Sequence, residues 1–429
     1  MIISKKNLLA FAISLFTAYG ALAQSTINSP YSKFGVGNLS GSYLPQNRAL
    51  GNLGYGISTV GGYNNINIAN PASYANMRLT VFDIGASTHS QTLKKGSKSE
   101  SNFNASLNHL AIGIPVSKKS ALSFGLLPYS NFGYSYDDVS SSVDTFKIEH
   151  TYSGEGGINR AYIGYGFGLG KHFTFGANMS YLFGNLKEIR TTEFNQYIGF
   201  LNSKTADNNS VGGLVFDFGA QYTAALGKKA KITIGYTGNA KTDLHTTYSQ
   251  LSTRYMESSG SEYRADTTRF INEVKGNLVL PASHNFGFSI EKYNKWLVGA
   301  DLRLANWSDF ARSGSASQLN DTWGFSVGGQ ITPNVNAVTN YFKLIDYRLG
   351  FSYDKTYVKI AGQDIDVKSV NLGFGFPLIS GRNAFYKINF STEIGTRGTL
   401  EQNLVKENFI NFHLGFTIND RWFQKYKYD

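Results

Sequence analysis

The sequence contains no cysteine in its 429 residues, which excludes disulfide bridges, thiolate metal sites and a cysteine nucleophile. It is also poor in charge, since 16% of its residues are charged where a soluble domain averages about 25%. Beyond the N-terminus it has no run of the ~20 apolar residues that a membrane-spanning helix needs. A large solvated surface and a bundle of membrane helices are both disfavoured.

Glycine and aromatic residues are abundant instead. The chain has 46 Gly, 31 Phe, 27 Tyr and 4 Trp, whereas an average chain has about 7% Gly. Only eight residues are proline. Aromatic residues favour strands and glycine favours tight turns, so the composition indicates β-structure.

The N-terminus predicts export. Lys5 and Lys6 precede an apolar run from Leu8 to Tyr19, and Ala21-Leu22-Ala23 supplies the small residues of a cleavage site. We interpret residues 1–23 as a signal peptide; an uncleaved membrane anchor is disfavoured because the run is too short to span a bilayer. Cleavage removes two of the 40 basic and none of the 29 acidic residues, which leaves a net charge of +9. Without an Arg-rich helix or a nucleic-acid motif, this charge predicts contact with a membrane surface and no nucleic-acid partner.

Alternation with a period of two recurs from about residue 79 to residue 418. In the last segment an apolar set alternates with a small or polar set: Ile410, Phe412, Leu414, Phe416 and Ile418 against Asn411, His413, Gly415 and Thr417. The segments reach the ~9 to 11 residues that a spanning strand needs, whereas strands of soluble proteins cluster near ~5 to 6. The pattern therefore predicts an all-β fold, a transmembrane antiparallel barrel over 79–418, with His413 and Asn411 facing the lumen.

We count about fourteen strands in this barrel. Several connections are tight, as at 117–119, 170–171 and 227–229, while the polar stretches 187–209 and 238–281 read as long external loops. An even count and short periplasmic turns are typical of bacterial outer-membrane barrels. The count treats 145–168 as one strand; splitting it at Gly154–Gly157 would give fifteen. Residues 419–429 are predicted to be a periplasmic tail, with both termini periplasmic.

Residues 24–78 precede the barrel and are rich in Gly, Asn and Ser. So long a segment without regular structure is uncommon unless it is functional or disordered. We predict a plug inside the lumen; a disordered periplasmic tail is the alternative.

Two regions resemble the FadL-type family of outer-membrane transporters for long-chain fatty acids and other hydrophobic compounds. Before the first strand, the segment 48–54 is followed by Asn70-Pro71-Ala72; later come 280–287, 307–310 and 347–354. The resemblance implies a fourteen-stranded barrel with an N-terminal hatch, an apolar ligand pocket and sideways release through the wall. It makes Asn70, Pro71 and Ala72 candidates for the plug or gate. Passive uptake of a hydrophobic or amphipathic, fatty-acid-like molecule across the outer membrane is the function it implies.

The two ends of the chain depart from that family. The opening 29–35 and the ending 422–429 resemble barrels of the Bacteroidota, where FadL-type barrels also resemble subunits or shuttles of larger machines. The second hypothesis is therefore a non-transporting barrel in the barrel-assembly or type IX secretion machinery. Expected partners are outer-membrane lipid and lipopolysaccharide, a hydrophobic ligand, and other outer-membrane proteins or lipoproteins.

The sequence offers little for catalysis. The glycines of 164–170 lack the following helix of a phosphate loop and are better explained as making room inside a barrel. The seven histidines form no metal-binding motif. We predict no enzyme activity, no cofactor and no metal site; a lipase with a Ser and His on the outer wall is the third, least favoured hypothesis.

Overall fold

A computed structural model describes residues 29–60, 65–143, 146–194, 200–258, 261–313, 315–316, 318–378 and 384–420. The predicted signal peptide and residues 421–429 of the predicted tail lie outside this set. Within it, no helix is long and apolar enough to cross a membrane.

The described residues form fourteen antiparallel strands in one closed ring, and the predicted barrel is confirmed. In chain order they are β1 Thr80–Lys95, β2 Lys98–Ser117, β3 Ser120–Asn131 with Tyr134–Val143, β4 Phe146–Leu169, β5 Phe173–Glu193, β6 Asn202–Leu226, β7 Ala230–Asn239 with Thr242–Ser258, β8 Ser261–Leu280 with Ser283–Lys292, β9 Trp296–Ala305, β10 Thr322–Ile331, β11 Asp346–Ile360, β12 Gln363–Leu378, β13 Ala384–Arg397 and β14 Lys406–Asp420. The last strand pairs with the first from Thr80↔Asp420 to Lys94↔Lys406, which closes the ring.

Alternation places the two sets of side chains as predicted. On β14, Phe412 and Leu414 are 42% and 52% exposed on the outside, whereas His413 and Thr417 are buried on the inside. Apolar side chains with no protein cover are stable only against lipid, so the outer face is the membrane-facing one. β4 runs unbroken through Gly154–Gly157, which supports the count of fourteen over fifteen.

The expected long loops at 187–209 and 238–281 were wrong. Most of these residues continue β5 and β6, and β7 and β8, beyond the apolar belt. The cause is environmental: past the lipid both faces of a strand meet water, so the alternation that marks a strand disappears. We call this side the hairpin end, and the side with the tight connections 118–119, 170–172, 227–229 and 293–295 the turn end.

Residues 29–60 and 65–77, here called the plug segment after the role predicted for them, contact inward-facing residues of the ring. Their contacts run around it, from Tyr74 on β5 to Gly51 at β11 and Pro45 at β14. Regular structure is short: Pro30–Lys33 and Pro71–Asn76 are 3-10 helices, Pro45–Arg48 is one helical turn, and Asn38–Leu39 is a strand. Trp307–Asp309, Tyr341–Lys343 and Glu401–Asn403 are 3-10 helices in the connections, and Ala311–Arg312 and Ser315–Ala316 are two-residue strands.

Glycines of the wall make room for the plug segment. A Cβ on Gly235 would lie 1.8 Å from the Tyr55 carbonyl oxygen, and one on Gly328 would lie 2.1 Å from the Leu50 carbonyl oxygen. No side chain fits at such distances, so backbone packs directly on backbone. Gly164 and Gly166 do the same beneath Tyr74 and Pro71, as their alternation predicted.

Candidate functional site

The ring has a gap at one seam, between β2 and β3. β2 pairs with β1 from Lys98 to Gly113, but its pairs with β3 run only from Leu110↔Leu126 to Ser117↔Ser120. Residues 98–109 of β2 therefore have no ladder partner on β3 in the described part of the chain. We call the space between 104–109 of β2 and 127–131 of β3 the wall gap.

β3 parts from β2 beyond Leu126 and is interrupted at Phe132 and Gly133, while it stays paired with β4 on both sides of this break. The plug segment takes up the exposed edge there: Asn38↔Asn131 and Leu39↔Ser130 form an antiparallel pair. Ser32 adds a hydroxyl that donates to the Gly133 carbonyl at 2.7 Å. The inner border of the wall gap is thus built by the plug segment itself.

A cavity of about 520 Å³ occupies the lumen behind this gap. Asn104, Ser106 and Asn108 line it from the β2 side, and Pro128, Tyr129 and Asn131 line it from the β3 side. Because both borders of the wall gap line the cavity, the cavity reaches the barrel wall.

The wall that continues from β2 through β1 carries a polar and charged cluster on β13 and β14. Asn411 Nδ2 donates to Glu393 Oε2 at 3.0 Å, and His413 Nε2 lies 3.9 Å from the same oxygen. Both ring nitrogens of His413 and the Nε of Arg397 are buried without a hydrogen-bond partner among the described residues. Buried polar atoms without partners favour a polar ligand or water at this wall.

Two further ion pairs and several apolar side chains complete the lining. Arg303 meets Asp354 at 2.8 Å, and Arg160 meets Asp217. Apolar side chains alternate with these charges: Leu39, Ile68, Tyr129, Trp307 and Phe409. The pocket that the family resemblance implied is apolar, whereas this one is amphipathic.

An apolar cluster borders the cavity on the hairpin side. Tyr31, Trp307, Tyr357 and Val358 belong both to this cluster and to the cavity lining. The Tyr31 hydroxyl donates to the carbonyl of Val405, and burial, followed by the charge of Glu407, raises the pKa of Tyr31 to about 12. The hydroxyl therefore stays protonated at neutral pH and can donate this bond.

On the turn side the plug segment is fixed to the wall. Asp301 Oδ2 accepts the N–H groups of Gly54 at 2.7 Å and Tyr55 at 3.0 Å. Ser289 donates to the Gly56 carbonyl at 2.6 Å. Together with the wall glycines, these bonds hold the plug segment against the wall on the turn side.

The candidates Asn70, Pro71 and Ala72 lie on this fixed side and do not line the cavity. All three are buried; Asn70 caps the helix Pro71–Asn76 by accepting Ala72 N–H at 3.1 Å and donates to the Tyr55 carbonyl at 2.7 Å. Pro71 packs on Gly176 and Gly219.

Sequence reasoning placed His413 and Asn411 in the lumen, where both line the cavity. It missed Arg48 and Glu393, because no local pattern links residues so far apart in the chain.

The chain matches one protein family and is similar to several solved structures. A family model described as BamG matches residues 2–429. The toluene transporter TodX of Pseudomonas putida has a TM-score of 0.60 at 15% identity, covering 90% of this chain and 99% of that one. The toluene transporter TbuX of Ralstonia pickettii has a TM-score of 0.57 at 17% identity, covering 90% of this chain and 100% of that one. A FadL homologue of Pseudomonas aeruginosa has a TM-score of 0.58 at 13% identity, with the same two coverages. No protein of curated function matches. These likenesses show the fold: an outer-membrane β-barrel of FadL-like type.

Proposed function

The chain belongs to the BamG family, and we propose that its barrel admits an amphipathic, fatty-acid-like small molecule into the lumenal cavity and releases it sideways through the wall gap. The observation that carries this proposal is the cavity lining, which includes residues from both borders of the gap. A route along the axis is disfavoured because the fixed plug segment lies on one side and the apolar cluster on the other.

The lining supports the choice of ligand class. A purely apolar molecule would leave the two ring nitrogens of His413 and the Nε of Arg397, which have no partner among the described residues, unsatisfied in a buried site, which is unfavourable. A molecule with a polar head and an apolar tail can satisfy these groups and still contact Leu39 and Phe409. The lateral route then leads the tail towards lipid.

The proposal includes an orientation. Short turns face the periplasm in bacterial outer-membrane barrels, which supports a periplasmic turn end and an external hairpin end. In this orientation Asn70, Pro71 and Ala72 anchor the plug segment on the periplasmic side. For a gating role they would have to move away from Gly176 of β5 and Gly219 of β6, on which Pro71 packs.

Ligand binding tests the proposal directly. The purified barrel in amphipol would be titrated with dodecanoate, dodecylamine and toluene by calorimetry. We expect one amphiphile to bind at one site, and the double variant Glu393→Gln with Arg397→Gln to weaken it about tenfold, roughly 1.4 kcal/mol, while toluene binds least. Preference for toluene, or no binding of any probe, would contradict the proposal. Phospholipid hydrolysis by the purified protein would favour the lipase hypothesis instead.

A second candidate function is a barrel subunit of a larger outer-membrane complex, with the barrel-assembly machinery as the first choice. The specific observation is that the BamG model matches nearly the whole chain, residues 2–429, whereas the hydrocarbon channels are only 13–17% identical. The hairpin formed by Thr242–Ser258 and Ser261–Leu280 adds a surface beyond the apolar belt, where Tyr263 and Phe270 are 58% and 68% exposed. Purification in mild detergent tests this candidate: a stable assembly with other barrels or lipoproteins supports it, and a lone monomer counts against it.

A further inference from the structure

The turn end carries a dense set of lysines, which we call the basic rim. Its members come from five connections between strands: Lys118, Lys119, Lys171, Lys228, Lys229, Lys292, Lys295 and Lys343. Seven of them are exposed and Lys292 is half-buried. None forms an ion pair with a described residue, in contrast to Lys231 next to them, which meets Glu291 at 2.9 Å.

The acidic residues of the same end do not neutralise the rim. Asp83, Glu291 and Asp346 are buried, and each contacts an inward-facing basic side chain: His109 at 2.7 Å, Lys231 at 2.9 Å and Arg348 at 2.8 Å respectively. Asp420, at the end of β14, is half-buried. The field at the turn end is therefore positive.

The hairpin end is different, because several of its exposed cations meet acids. Lys187 meets Glu155 at 2.6 Å, Lys204 meets Glu262 at 2.9 Å, and Lys355 meets Asp364 at 2.6 Å. Such exposed pairs cancel each other's field at a distance. The excess of positive charge in the sequence is thus concentrated at the turn end.

The rim extends past the strand ends, beyond the aromatic side chains that mark the edge of the apolar belt. Phe173 and Trp296, exposed at the first positions of their strands, are placed to contact the lipid interface. The lysines follow the strand ends: Lys118 and Lys119 lie between Ser117 and Ser120, and Lys228 and Lys229 between Leu226 and Ala230. Lys119 Nζ donates to the Gly170 carbonyl at 2.6 Å, so this side chain runs along the rim towards the next connection.

We propose that the basic rim docks the acidic face of a protein in the compartment that the turn end meets. This inference deepens the second candidate function, a subunit of a larger outer-membrane complex, and rests on it. Electrostatic complementarity of this kind steers association and fixes which face of the partner is used. The same rim would hold the complex in an orientation that leaves the wall gap open to lipid.

Photo-crosslinking in cells tests the proposal. Tyr293, 68% exposed beside Lys292, would be replaced by benzoylphenylalanine. The rim variant reverses four charges: Lys118→Glu, Lys119→Glu, Lys228→Glu and Lys229→Glu. The matched control reverses three exposed lysines of the hairpin end: Lys94→Glu, Lys95→Glu and Lys98→Glu. Heat-modifiability on gels confirms that each variant folds.

We expect one protein adduct of constant mass in the wild type and the control, reduced at least tenfold in the rim variant. In isolated outer membranes, raising NaCl from 50 to 300 mM should reduce it as well, because salt screens exposed charges. Equal adducts in all three proteins, adducts with phospholipid only, or no protein adduct in the wild type would overturn the proposal.

Native gels of the same membranes separate the two proposals. An assembly that persists in the rim variant with an unchanged adduct means that the rim inference fails while complex membership stands. A wild type that migrates as a monomer without any adduct means that the second candidate function fails as well.

Discussion

The plug segment packs closely against the wall in the turn half of this barrel, whereas the hairpin half contains a cavity. In the turn half, wall glycines and Asp301 fix the plug segment against the strands. In the hairpin half, β3 parts from β2 and a cavity lies behind the unpaired seam. The two halves of one ring therefore differ in where backbone packs on backbone. If that comparison is right, substitutions that disturb close packing in the turn half should cost more stability than those at the hairpin end.

The largest effect is expected from Gly235→Ala, in the turn half. The added Cβ would lie 1.8 Å from the Tyr55 carbonyl oxygen, so the plug segment must shift, which costs ~1–3 kcal/mol or more. Calorimetry and heat-modifiability measure the loss. Gly168→Ala is the control: its Cβ would lie 3.5 Å from the Lys119 Cβ, an ordinary contact. Equal stability of the two variants would mean that the plug segment is not fixed here.

Asp301→Ala should have an effect of comparable size. It leaves the N–H groups of Gly54 and Tyr55 buried without their acceptor, at a cost of ~1–3 kcal/mol per group. Asp309→Ala, at the hairpin end, removes an exposed carboxylate 3.6 Å from Lys241 and should cost only ~0–1 kcal/mol. Chemical denaturation measures the free energy of unfolding of the two variants. A larger loss in Asp309→Ala than in Asp301→Ala would contradict the comparison of the two halves.

Tyr31→Phe is expected to have the smallest effect. It removes the bond to the Val405 carbonyl and should cost ~0.5–1.5 kcal/mol. Because burial, together with Glu407, raises the pKa of Tyr31 from 10.0 to about 12, the bond's contribution is complete below pH 10. It is lost as the pH rises towards 12. The wild-type advantage over Tyr31→Phe should therefore be constant from pH 7 to 9 and shrink above pH 10, as measured by unfolding at each pH.

The barrel could be predicted from sequence because lipid imposes a period of two. That pattern placed His413 and Asn411 in the lumen and gave fourteen strands. It failed at 187–209 and 238–281, where strands leave the lipid and both faces meet water. The wall gap could not be predicted either, because β2 keeps its alternation through Asn104, Ala105 and Ser106 whether or not β3 pairs with it. Arg48 donates to the Ser40 carbonyl at 2.6 Å only because the plug segment folds back on itself. The spacing of residues in the sequence does not predict such a contact.

Blocking the wall gap tests lateral release most directly. Ser106 lines the cavity at the gap, whereas Ser101, on the same strand, does not. Uptake of radiolabelled dodecanoate would be measured in cells that carry Ser106→Trp, Ser101→Trp or the wild type, against cells without the protein. The proposal predicts that Ser106→Trp lowers uptake at least tenfold to the level of the deletion while Ser101→Trp leaves it unchanged. Wild-type uptake in both variants, or no difference between wild type and deletion, would contradict it.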